Sequence, residues 1–431
     1  MIRLFLFVLL LPSLVLAKLD IQNWQTVNGA KVYFLENHSL KMLDISLNFD
    51  AAASRDGDKS GLAKLTNSLI GMGSEKYSEE EIIAKFEQTG AEFTVNSLKD
   101  MAMVSLRTLS RKALLDSSLA TFINVIAKPS FPKDKINRLK KQHLLQLKKN
   151  SQKPGSIASD EFFKLIFKAH PYQHNAIGNE KTINAITQGD IKFFFDKYYV
   201  AKNLTIAIVG DITKEKAIKI ANNIASKFKT GLKPKKLNKV RNLNKAEAKH
   251  IEFPSKQSHL ILGQPGVSRE HKDYYHIYLA NHILGGSGLT SLLSEEIREK
   301  KGLAYSVYSS MRPMAYSGFF LIKLQTKNSQ LDDAYKTAIK TLNDFISSEI
   351  DDEIFNDAKN NIIDGFPLSI ATNSDLITYL SIIGFYNLPL DYINSFADKI
   401  KKLTKNDVQR AFREMIDINK IIKVSVGKQK K

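Results

Sequence analysis

Two stretches of this chain hold residues whose type and spacing bear on catalysis. The first is "GGSGLTSLLSEEIREKKGLAYSVYSS", Gly285–Ser310, which carries Arg298 and Tyr305 seven positions apart. A guanidinium offers several fixed N–H donors to carbonyl oxygens. A phenol can donate to an oxyanion as it develops on a carbonyl. Gly285, Gly286 and Gly288 make a flexible loop, and Leu289, Leu292, Leu293 and Ile297 give the apolar face of a following helix. Gly302 ends that helix as a left-handed cap. The pattern thus puts Arg298 in the last helical turn and Tyr305 on the strand beyond. Taken locally, the same residues also read as an ordinary charged surface in which Glu296 and Lys300 pair at i, i+4. The second stretch is "SGLAKLTNSLIGMGSEKYS", Ser60–Ser78. It has the outline of an active-site helix, but Lys64, Asn67 and Ser68 stand where a catalyst would carry acids or imidazoles.

Other clusters offer less. His170 and His174 are spaced i, i+4, but Pro171 interrupts a helix between them and no glutamate lies there. His271, His276 and His282 scatter around a helix at spacings of five and six, and read as polar or capping histidines. No G-x-S-x-G nucleophile elbow is present. With no cysteine, disulfides and thiolate metal sites are excluded, and a metal would need His and carboxylate ligands.

The elements that position these residues recur. "ITQGDIKFFFDKYYVAKNLTIAIVGD" (Ile186–Asp211) and "LTKNDVQRAFREMIDINKIIKVSVGK" (Leu403–Lys428) share one plan at a constant offset. Thr187 and Thr404 each precede an acid by three, Asp190 and Asp407, as in a capping box. A β-rich run follows in both, ending at Gly210 and Gly427. "LTNSLIG" parallels "LANHILG", and "TGAEFTV" parallels "KGLAYSV". Such a long period means two copies of one domain: 18–229 and 251–431. The segment 230–250 between them, rich in Lys and Asn, reads as a solvated linker. "LDISLNFD" (Leu43–Asp50) alternates as a half-buried strand. "SEEEIIAKFEQTG" reads as a helix capped by Ser78 with Glu81, and the helix after Phe131 carries Ile136, Leu139, His143 and Leu147 on one stripe. The interspersed elements give an α+β class.

At 431 residues the chain is long enough for two ordinary cores. "MIRLFLFVLLLPSLVLA" (1–17) reads as a secretory signal peptide cleaved near Ala17. The expected location is therefore periplasmic or secreted, without a transmembrane segment. The formal net charge of +19 is spread over Lys-rich faces, with no cluster of Arg and aromatics to mark a nucleic-acid surface. A preference for acidic peptides or membrane surfaces stays open.

Two long segments carry a resemblance. "HPYQHNAIGNEKTINAITQGDIKFFFDKYYVAKNLTIAIVGD" and "KNNIIDGFPLSIATNSDLITYLSIIGFYNLPLDYI" resemble the first-half and second-half signatures of the insulinase-type (pitrilysin-like) peptidases, specifically short bacterial members related to mitochondrial processing peptidase. The resemblance implies two tandem domains of the insulinase/LuxS-like metallohydrolase fold, each a largely antiparallel sheet covered by helices. Active members carry a zinc-binding His-x-x-Glu-His on the helix that here holds Lys64, Asn67 and Ser68, with a distant Glu that aligns at about Gln146. An ammonium has no lone pair, an amide is no general base, and a hydroxyl is a poor zinc ligand. The comparison therefore implies no metal and no catalytic residue of the chain's own. It also implies that Arg298 and Tyr305 hold substrate. In the family two chains can close as a clamshell, one bringing zinc and the other the Arg and Tyr. The expectation is a non-catalytic subunit of a heteromeric zinc endopeptidase, with zinc only in a paralogous partner and peptides as substrate, held along a sheet edge. The alternative is a peptide-binding or structural protein with no peptidase partner.

Overall fold

Among the described residues, eleven strands form two sheets of matching plan. The computed structural model describes residues 18–428, so the expected signal peptide lies outside the described residues. The first sheet runs in the order β1 (Gln22–Gln25), β2 (Lys31–Glu36), β6 (Leu204–Gly210), β3 (Met42–Phe49), β5 (Ala102–Leu109) and β4 (Glu92–Ser97). The second runs β7 (Glu247–Glu252), β11 (Ile422–Gly427), β8 (Gln257–Pro265), β10 (Phe319–Lys327) and β9 (Ala304–Arg312). In each, the last strand of the copy inserts between two earlier ones: β6 lies parallel to β2 and antiparallel to β3, and β11 does the same with β7 and β8. All other pairings are antiparallel, so each sheet is mixed by one pair. The repeat read from the offset is thus a repeat of topology. Gly210 closes β6 at φ 145°, where a Cβ would stand 2.2 Å from the Met42 carbonyl oxygen.

The helix starts follow their caps. Thr187 Oγ1 accepts from the Asp190 N–H and the Asp190 carboxylate takes the Thr187 N–H in return. Thr404 accepts from the Asp407 N–H in the same way. Ser78 and Glu81 form the same box before the Glu79–Thr89 helix. Each satisfied cap contributes about 1 kcal/mol.

One expectation changes. The alternation along β3 predicts one covered face, with Asp44, Ser46 and Asn48 on the other. In the fold all three are buried. The Asn373–Tyr386 helix, from the second copy, crosses the polar face of β2, β3 and β6. Asn48 Nδ2 donates to Ser381 Oγ on that helix at 3.2 Å. Asp44 pairs with Arg107 at 2.7 Å. The mirror exchange also occurs: the Pro154–Ile166 helix of the first copy packs on β8 and β11. Each sheet is therefore covered on one face by its own helices and on the other by a helix of the other copy.

The linker also differs from a free tether. β7 begins at Glu247, inside the stretch expected as linker, because it pairs in parallel with β11 and the Ala246 N–H donates to the Asn419 carbonyl. Among the described residues no helix is long and apolar enough to cross a membrane.

Candidate functional site

The helix bearing Lys64, Asn67 and Ser68 spans Leu62–Leu69. Its start is held by Asp56, whose carboxylate accepts the Gly61 N–H at 2.8 Å and the Ala63 N–H at 2.7 Å. Burial pushes the Asp56 carboxyl up to about 7 even though both N–H groups favour its charged form. Gly61 has φ 97°, and a Cβ there would lie 2.4 Å from the Ile177 carbonyl oxygen, so only glycine lets that loop ride over the helix start.

Asn67 is buried and fully engaged. Its Nδ2 donates to the Asn96 carbonyl at 2.7 Å and to the Met103 carbonyl at 3.3 Å. These two residues face each other across β4 and β5. Its Oδ1 accepts from the Tyr199 hydroxyl at 2.9 Å. The amide is thus a clip that fastens the helix to the edge hairpin. A carboxylate could accept the tyrosine hydrogen bond but would be repelled by both carbonyls. Lys64 and Ser68 are partly exposed on the same helix.

Gln146 stands where the resemblance aligns the family's distant Glu. That side chain is exposed and donates to Asn150 Oδ1 at 2.7 Å along its own helix, Lys133–Asn150. The side chain of that helix that feels the Lys64 charge is His143, which is buried. Burial, and secondarily Lys64, lowers its pKa to about 4, and its Nδ1 is buried without a hydrogen-bond partner. The sequence did signal it, as an imidazole on an otherwise apolar stripe.

An ammonium, a committed amide, a hydroxyl and a single imidazole do not make the donor set that zinc requires. Among the described residues no group of three or more His, Cys, Asp or Glu gathers as a metal site. Three histidines of the other clusters serve the backbone or neighbouring side chains. His170 accepts the Tyr172 N–H, and His271 accepts the Asp273 N–H. His282 meets Asn361 at 3.0 Å.

Arg298 and Tyr305 come together. Arg298 sits in a π-helical turn, Ser294–Glu299, rather than in a regular α-helix, and the Lys300 N–H reaches back to the Glu295 carbonyl. Such wide turns are frequent at functional sites. A second π-turn, His282–Gly286, lies under β9, where a Cβ on Gly285 would meet the Ser309 nitrogen at 2.4 Å. Gly302 ends the turn at φ 58°, as its left-handed role required. The Arg298 guanidinium lies over the Tyr305 ring, 5.2 Å from its centre. Lys300 is taken by Glu295 and Glu296, which among the described residues leaves Arg298 its neighbour Glu299 at 3.3 Å as ion-pair partner. Tyr305 is 86% exposed, on the edge strand β9. Leu289, expected on the helix's apolar face, is instead exposed in the preceding turn, because the regular helix does not extend back to it.

Two family models match this arrangement. Residues 31–180 match the model described as insulinase (peptidase family M16), and residues 185–362 match the peptidase M16 inactive domain. A solved structure of a peptidase M16 inactive domain from Pseudomonas fluorescens is 36% identical, covers 96% of this chain and 100% of its own, and superposes with a TM-score of 0.92. The chain belongs to the insulinase family. Within it, Lys64, Asn67 and Ser68 offer no zinc donor set, and the inactive-domain model matches from the end of the first copy through much of the second. A Helicobacter pylori protein named "non-peptidase homolog YmxG" is 25% identical over 99% of both chains. A solved structure described as a protease from Helicobacter pylori shares the fold, with TM-score 0.87 at 19% identity over 95% of this chain and 99% of its own.

Proposed function

We propose that this insulinase-family chain is the non-catalytic, substrate-binding subunit of a heteromeric zinc endopeptidase, exported to the periplasm and paired with a zinc-bearing paralogue. The observation that carries the reading is a contrast between the copies. The motif helix has turned its central side chain into a structural clip, while the second copy keeps an arginine and an exposed tyrosine in contact on an edge strand. A structural tyrosine would be expected to bury its ring. In the proposed complex Arg298 would hold carbonyls of an extended peptide, and the Tyr305 hydroxyl would donate to the oxyanion formed on the partner's metal site.

Mixing the purified chain with the zinc-bearing paralogue from the same genome tests this. Peptidase activity should rise with added chain and saturate, and the chain alone should show none. A gain that is the same with an Arg298→Ala, Tyr305→Phe double variant would defeat the proposal. A second reading, a peptide-binding or structural protein with no peptidase partner, draws on the full-length match to a relative named a non-peptidase homologue. It would be favoured if no paralogue gains activity while the chain still captures peptides.

A further inference from the structure

The segment joining the two copies carries an unassigned feature. Residues 229–243 have no regular secondary structure, yet their burial is periodic: Gly231, Pro234, Leu237, Val240 and Leu243 are half-buried and every residue between them is exposed. Beyond Gly231, which turns the chain at φ 59°, a period of three is that of an extended polyproline-type strap. The strap is fastened to both copies. Arg55 donates to the Lys235 carbonyl at 2.8 Å, His170 reaches the Asn238 carbonyl at 3.1 Å, and the Leu237 N–H donates to the Tyr316 hydroxyl at 2.8 Å.

The same period puts Lys233, Lys236 and Lys239 in one column, spaced by about 9 Å at a rise of 3.1 Å per residue. All three line a cavity of about 710 Å³ between strap and copies, as do Lys31, Lys202 and Arg269. None of these six cations makes a salt bridge among the described residues. The acids there are largely spoken for. Asp50 is paired with Arg55, and Asp100 accepts the Tyr172 hydroxyl, the Ala315 N–H and the Tyr386 hydroxyl. Only Glu270 remains. Arg269 lies over the rings of Tyr274 and Tyr392 and donates to the Tyr392 hydroxyl, but its Nε is buried without a partner.

We propose that this cleft binds a small oligophosphate, an anion carrying two or more linked phosphoryl groups, between the lysine column of the strap and Lys31, Lys202 and Arg269. Several ammonium groups without an ion-pair partner line one cavity, Lys31 donating there to the Asn387 amide oxygen, and a compact multivalent anion relieves their mutual repulsion at once. Burial and the nearby Lys233 charge already hold the Lys31 ammonium below its ordinary pKa. The strap lines one side of the cleft, whose volume of about 710 Å³ favours a small anion over a duplex or a folded acidic protein. Bound there, it would tie the strap to both copies.

Inorganic tripolyphosphate and ATP, each titrated calorimetrically into the full chain at physiological salt, provide the test. Saturable one-to-one binding at least tenfold tighter than sulfate is expected. A Lys233→Ala, Lys236→Ala, Lys239→Ala variant should lose at least tenfold. A charge-matched variant elsewhere, Lys141→Ala, Lys148→Ala, Lys149→Ala, should bind as the parent does. Equal affinity for the two probes would mark the phosphate chain itself as the ligand, and tighter ATP a nucleotide source. Absence of saturable binding, or equal losses in the two triple variants, would overturn the proposal. All six substitutions are at exposed lysines, so folding should be preserved.

Discussion

The Arg298 guanidinium rests on the face of Tyr305, 5.2 Å from the ring centre, while the ring itself stays 86% exposed. The contact holds both side chains ready without hiding the phenol. In the proposed complex with a zinc-bearing paralogue, Tyr305→Phe should keep the ring platform and lose only the donor. Arg298→Lys should keep the charge and lose the fork. Each should lower kcat/KM by roughly 30- to 1,000-fold, equivalent to about 2–4 kcal/mol of transition-state stabilisation. Because the corner is exposed, unfolding free energies should change by no more than about 0.5 kcal/mol. Denaturant melts run beside the kinetics separate the two effects.

Asn67 makes the opposite prediction. Asn67→Ala strands two carbonyls and a buried hydroxyl, and should cost about 1–3 kcal/mol. Asn67→Glu restores the family's residue type but aims a charge at those carbonyls, and should cost about 3–5 kcal/mol. The triple change Lys64→His, Asn67→Glu, Ser68→His should therefore lower stability and give no chelator-sensitive hydrolysis, since Gln146 stands where the family's remaining ligand aligns. A stable, zinc-loaded triple variant in elemental analysis would show that the clip is dispensable.

How far the sequence led can be read from particular residues. Thr187 with Asp190, Thr404 with Asp407 and Gly302 were legible because caps are local, decided by a few neighbouring atoms. The constant offset carried the common sheet order, because a duplicated sequence refolds to a duplicated topology. The buried polar face of β3 was not legible. Its cover, the Asn373–Tyr386 helix, lies more than three hundred residues away, and alternation along a strand says nothing about what arrives from so far. His143 went unassigned because aligning a single distant residue cannot fix which side of a helix faces Lys64. The π-turn at Arg298 escaped for a related reason: one extra residue per turn leaves the apolar pattern almost unchanged.

His143 gives a pH-dependent stability with a defined sign. The unfolded chain takes up this proton near pH 6.5, whereas the folded protein holds it off until about pH 4. Between those values the unfolded state binds more protons, so stability falls as pH drops, and the full contribution is present above about pH 6.5. The group accounts for at most about 3 kcal/mol. Comparing parent and His143→Leu by denaturation at about pH 7.5 and 4.5 should show a smaller acid loss in the variant. Lys64→Met should raise the imidazole pKa, seen by NMR titration. An unchanged pKa would mean that burial alone sets it.

The exchanged helices yield a prediction about cooperativity. A Cβ on Gly384 would lie 2.5 Å from the Thr205 Cγ2 and 2.7 Å from the Tyr33 ring, both in the other copy's sheet. Gly384→Ala gains up to about 1 kcal/mol of helix propensity but overpacks by about 1–3 kcal/mol, so a net loss is expected. Gly155, on the reciprocal helix, is the natural control. A Cβ there would lie 3.1 Å from the His259 Nδ1, a contact that a small side-chain shift relieves, so Gly155→Ala should stay within about 0.5 kcal/mol of the parent. Since each copy supplies a covering layer to the other, Gly384→Leu should lower the melting temperature of the whole molecule as one transition. Calorimetry resolving two transitions, with only one displaced, would show that the copies fold independently despite the exchange.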